Sequence, residues 1–107
     1  MQYSELREVL KTAVFEVKRV ERDDFLEAVI VKSALDDLTA KLQSFFGEPV
    51  SSSGAALSPR EQERVDSLGG IMPGQTLYLK QEQEMLVCAM LWPWQDGEHI
   101  TLKLSGE

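Results

Sequence analysis

The chain contains one cysteine and one histidine, and each scarcity excludes chemistry. A single thiol cannot close an internal disulfide, and one Cys with one His falls short of the ligand set of a structural zinc site. Cations are also in short supply. Eleven Lys and Arg stand against 18 Asp and Glu, a net charge of −7 spread along the chain. Nucleic-acid binders neutralise phosphates with clustered basic residues, so no nucleic acid is expected as a partner. No apolar run approaches the roughly 18 residues of a membrane span, and Met1–Leu6 lacks the basic and apolar regions of a signal peptide. These absences point to a cytoplasmic protein with no membrane partner and no cofactor or metal.

Catalytic motifs are missing too. Gly69–Thr76 is glycine-rich, but it has no Lys for a P-loop and leads into a strand rather than a helix. Asp23-Asp24 and Asp36-Asp37 are sequence neighbours, which suits a turn and a helix N-terminus better than two converging carboxylates. Enzymatic activity is left open but disfavoured.

What is present is mostly patterning. At 107 residues the chain suits a single domain, 1–107, with one core. Leu6, Val9, Leu10, Ala13, Val14 and Val17 fall at helical spacing after a cap at Ser4. Carried that far, however, the helix places Phe15 on its polar side. The preferred reading therefore ends the helix near Thr12 and makes Val14–Val20 a strand, turning through Glu21-Arg22-Asp23-Asp24 into Phe25–Val31. Pairing Val20 with Phe25 sets Lys18 opposite Glu27 and Phe15 opposite Ile30. Ser33–Asp36 resembles a capping box. It opens a helix that buries Leu35, Leu38, Leu42, Phe45 and Phe46 and stops at Gly47. A mobile loop is expected at about 48–58, with Ser51-Ser52-Ser53-Gly54 at its centre. Ser58-Pro59-Arg60-Glu61 is a full capping box for a helix to about Leu68, ended by Gly69-Gly70.

The segment from Thr76 to Leu104 reads as a three-stranded antiparallel meander. Its middle strand, Met85–Trp92, is apolar on both faces, so it is covered twice or meets a partner. Asp96-Gly97 is a two-residue hairpin turn that pairs Leu91 with Leu102, Ala89 with Leu104 and Pro93 with Ile100. The other face then sets Trp94 beside His99, Trp92 beside Thr101 and Met90 beside Lys103. A three-residue turn at Glu82–Glu84 is preferred for the preceding hairpin, opposing Leu79 to Val87 and Leu77 to Ala89. A two-residue turn would bring Lys80 into the core face.

The fold expected is therefore a two-layer α+β domain, with helices packed on one face of a largely antiparallel sheet. The second sheet face holds the candidate site: Tyr78, Met90, Trp92, Trp94 and His99. Cys88 and His99 share that face, but six residues of strand, about 20 Å, separate the His99 position from Cys88, too far for a thiol and its base. Trp is favoured where few residues carry much binding energy. The leading expectation is a non-catalytic interaction module or accessory subunit, a homodimer or the partner of another protein through the Trp- and Met-bearing face. The alternative is a small-molecule binder with an apolar pocket between that face and the 48–74 segment, where His99, Lys103 and Tyr78 are the polar handles.

Overall fold

The computed structural model describes residues 2–50 and 57–107. Among these, α1 (Tyr3–Leu10), β1 (Val17–Glu21), β2 (Phe25–Val31), α2 (Leu35–Phe46), α3 (Pro59–Ser67), β3 (Thr76–Glu82), β4 (Met85–Pro93) and β5 (His99–Gly106) follow in order. The strands form one antiparallel sheet, β1-β2-β5-β4-β3. The fold is α+β, as the patterning predicts. No described helix is long and apolar enough to cross a membrane.

Alternation decides which side chains meet the helices. Leu26, Ala28 and Ile30 of β2, Val87, Ala89 and Leu91 of β4 and Ile100, Leu102 and Leu104 of β5 share one face. On this first face lie Tyr3, Leu6 and Leu10 of α1 and Leu38, Leu42 and Phe45 of α2, forming the larger core. Phe15 packs at its edge, so the helix ends before it, as expected. Val14, freed from the helix, stays 73% exposed. On the opposite, second face, Leu77, Leu79, Leu86, Cys88 and Met90 are sealed by Val65 of α3 with Leu57, Leu68 and Ile71. Arg64 fastens this cover, donating to Leu86 O at 2.8 Å and Ser105 Oγ at 3.2 Å. The predicted cap of α3 is present: Ser58 Oγ accepts from Glu61 N at 3.2 Å and Glu61 Oε1 accepts from Ser58 N at 2.8 Å.

The β4–β5 register is the expected one, with Leu91 opposite Leu102, Trp92 opposite Thr101 and Met90 opposite Lys103. Four local expectations need correction. The β3–β4 turn has two residues, not three, because Gln83 adopts the left-handed conformation at φ +54°. Leu79 then opposes Cys88, Leu77 opposes Met90, and Tyr78 and Lys80 point to the first face. The lysine is accommodated there. Its Nζ lies 4.3 Å from the Phe45 ring centroid and donates to Phe45 O at 3.1 Å, satisfying a carbonyl in the last turn of α2.

The β1–β2 hairpin is also tighter than expected. Arg22 N donates to Phe25 O at 2.8 Å, so Asp23-Asp24 alone makes the turn. A bulge at Arg19 follows, Val20 opposes Glu27, and Lys18 opposes Ala28 rather than Glu27. The cause is distant in sequence: Arg7 donates to Arg22 O at 2.7 Å and Tyr3 Oη donates to Asp23 O at 3.0 Å, so α1 fixes the turn. Finally, α2 has no side-chain cap. Lys32–Ala34 forms a short 3-10 turn in place of the predicted capping box, and α1 opens at Tyr3 with Gln2, not Ser4, preceding it. The centre of the expected mobile loop, 51–56, lies outside the described residues.

Candidate functional site

The structure separates the five predicted site residues. Met90 is wholly buried under the α3 cover. Tyr78 lies on the first face, 1% exposed, with its ring centroid 5.4 Å from that of Phe46. Neither can meet a partner at the second face. Trp92, Trp94 and His99 do come together there, where the α3 cover stops and side chains alone cover the second face of β5 and β2, burying Val29, Thr101 and Ser105.

Trp92 stands at the boundary. Gly69 of the cover lies so close that a Cβ on it would sit 2.7 Å from Trp92 Cη2. The described part of the 48–74 segment thus packs directly against Trp92. Lys103 Nζ rests 3.8 Å from the Trp92 ring centroid and donates to Leu68 O at 3.0 Å. Trp92 Nε1 is buried and meets no acceptor among the described residues.

Trp94 extends this surface outward. Its indole Nε1 donates to Thr101 Oγ1 at 2.8 Å, which lays the ring over the open side of β5 and leaves it 38% exposed. His99 stacks against it at 4.8 Å between centroids, and the Arg19 guanidinium lies 5.7 Å from the ring on the other strand. The bulge in β1 brings Arg19 here, next to Glu27 at 3.7 Å. Val17, opposite Val29 on the same face, is 49% exposed. Towards the hairpin tip, the Arg22 guanidinium stands 5.7 Å from the Phe25 ring. A groove of about 240 Å³ runs from there to α3, lined by Arg22, Phe25, Arg64, Ser67, Leu68, Ser105 and Glu107. Three aromatics, each with a cation within cation–π range of its ring, therefore mark this half of the second face. Sequence reading missed Val17, Arg19, Arg22 and Phe25, because the slipped register assigned Arg19 no aromatic neighbour.

The polar chemistry sits in the β4–β5 turn. Asp96 Oδ1 accepts from Glu98 N at 2.9 Å and His99 N at 3.0 Å, while Oδ2 lies 2.6 Å from His99 Nδ1. Those backbone donors, first that of Glu98, together with the imidazole, hold the Asp96 carboxyl below its ordinary value. The hydrogen bond to Asp96, with the nearby charges of Asp96, Glu16 and Glu98, raises His99. This is an oriented imidazole, but it has no adjacent nucleophile: the Thr101 hydroxyl is already bonded to the Trp94 indole. Cys88 is fully buried, and burial pushes its thiol up to about 12, the opposite of an activated thiolate. Among the described residues, no group of three or more His, Cys, Asp or Glu could hold a metal ion.

A separate recess of about 360 Å³ opens on the first face between the α1–β1 connection and the start of α2. Val14, Ile30, Val31, Ala34 and Leu38 line it, and none of the predicted site residues does. No family model, curated protein or solved structure matches this chain. Functional inference therefore rests on the geometry.

Proposed function

We propose that the protein is a non-catalytic interaction module, or accessory subunit, that contacts its partner through the uncovered half of the second sheet face. Trp94, Val17 and Arg19 form the centre of that contact, with His99, Trp92, Arg22 and Phe25 around them. One observation carries the reading: among the described residues, two of the four exposed large hydrophobic side chains, Val17 and Trp94, stand on one sheet face, Val17 on the edge strand β1 itself. Exposed aromatic and apolar side chains that cluster on a rigid surface are the usual material of binding hot spots. A cytoplasmic setting is part of the proposal, supported by the lone, reduced and buried Cys88.

Native mass spectrometry of the gently purified protein tests this, comparing wild type with Trp94→Ala. The expected result is an assembly mass that the variant loses while its unfolding midpoint stays within about 3 °C of wild type. An assembly that survives Trp94→Ala, or a wild type that is monomeric throughout, would remove the proposal. The same measurement covers self-association and hetero-association.

A further inference from the structure

We infer that the segment recognised at this surface is an acidic, extended stretch of a different protein, an inference that rests on the interaction reading above. Its basis is a local concentration of cations on an acidic chain. The whole chain carries −7, yet Arg19, Arg22 and Lys103 all project onto the open half of the second face, each over an aromatic ring. Three carboxylates stand among them: Glu27 at 3.7 Å from Arg19, Asp24 at 3.5 Å from Arg22, and Glu107, which lines the same groove at 3.8 Å from Arg64. Arg64 adds a fourth cation where the groove meets α3.

These guanidinium groups are available for exchange. Arg19 and Arg22 are 48% and 66% exposed, and their contacts to Glu27 and Asp24 are long, at 3.7 and 3.5 Å. A carboxylate from outside can take both donors of one guanidinium in the planar, bidentate manner that arginine favours. The Arg19 and Arg22 guanidinium groups each lie 5.7 Å from a ring centroid, Trp94 and Phe25 respectively, within the range of a cation–π contact. An extended segment suits the arrangement, because Arg22 and Arg19 lie along the β1 edge and Trp94 beyond them at the end of β4, on one sheet face.

Two other occupants fit less well. A second copy docked about a two-fold axis would present the same patch to itself, setting arginine against arginine. Pairing of two copies edge to edge is opposed by the Arg19 bulge, since bulges blunt edge strands. A nucleic acid would find aromatic platforms here, but it carries a dense line of phosphates toward a chain whose overall field is negative. A peptide brings only a few carboxylates, each to a local cation.

The test uses the intact protein and a fluorescein-labelled peptide in which Glu alternates with Tyr and Val, read by anisotropy. The same peptide with Lys for Glu and a short oligothymidylate serve as comparators. The acidic peptide is expected to bind, to weaken as salt is raised, and to lose about tenfold or more in affinity in the Arg19→Glu/Arg22→Glu variant. Both arginines are solvent-exposed, and a circular dichroism melt confirms that the variant folds. Equal binding of the Lys peptide, no response to the charge reversal, or tighter binding of oligothymidylate overturns the inference. So does an assembly of two copies that the charge reversal dissolves. If Trp94→Ala removes a native assembly while charge reversal leaves it intact, the interaction surface stands and its acidic occupant falls.

Discussion

His99 is legible in the sequence only as a lone imidazole next to a turn. Its geometry adds a reporter. Asp96 both closes the turn and holds Nδ1, so the carboxyl is shifted down and the imidazole up. A histidine raised on folding stabilises the folded state fully below its ordinary value of 6.5 and loses that contribution as pH climbs through the higher folded value. The lowered Asp96 contributes above its ordinary value of 3.8 and loses its share as pH falls through the folded value. The pair is therefore strongest between those two ordinary values. An NMR titration of the imidazole ring protons is expected to show His99 titrating above 6.5 and returning toward it in Asp96→Asn. Gly69 makes a second demand at this scale. With φ at +112° and Trp92 Cη2 at 2.7 Å from any Cβ, Gly69→Ala is expected to destabilise the fold by about 2 kcal/mol, measurable by urea denaturation with Trp fluorescence. Neither the dyad nor the glycine contact could be read beforehand, because both depend on atoms that only the fold brings together.

At the scale of elements the sequence was informative where its signals are local. The Asp96-Gly97 turn set the β4–β5 register, and Ser58–Glu61 set the start of α3. Replacing Ser58 with Ala is expected to cost about 1 kcal/mol, seen as a lower urea midpoint with an unchanged slope. Reading failed where a distant element decided the local geometry. Lys80 looked unacceptable on a core face, yet α2 offers its Phe45 carbonyl to the ammonium. The first hairpin was expected to have a four-residue turn, but Arg7 and Tyr3 of α1 bind the carbonyls of a two-residue one. These two registers decided the candidate site. The first turned Tyr78 away from Trp92, and the second delivered Arg19 and Arg22 to the open face. Arg7→Ala is accordingly expected to loosen the hairpin, with faster amide hydrogen exchange at Arg22 and Phe25 and little change in β3–β5.

Across the whole molecule the two faces of the sheet differ in how they are finished. Helices α1 and α2 lie on the first, while α3 and its flanks cover the second only over β3 and β4. The alternation in β4 predicted apolar character on both faces, but it could not show that one cover would stop at Trp92. The order β1-β2-β5-β4-β3 has a further consequence. The central strand is the one made last of the five, and β2 has to wait for it: Ala28 meets Leu102 across most of the chain. During synthesis the first hairpin and its helices emerge with the apolar row Leu26, Ala28 and Ile30 lacking its β5 neighbour. Contacts so far apart in sequence are slow to form. A nascent chain arrested before His99 is expected to be far more sensitive to protease than one extended past Gly106, because a single late strand joins the two hairpins into one sheet.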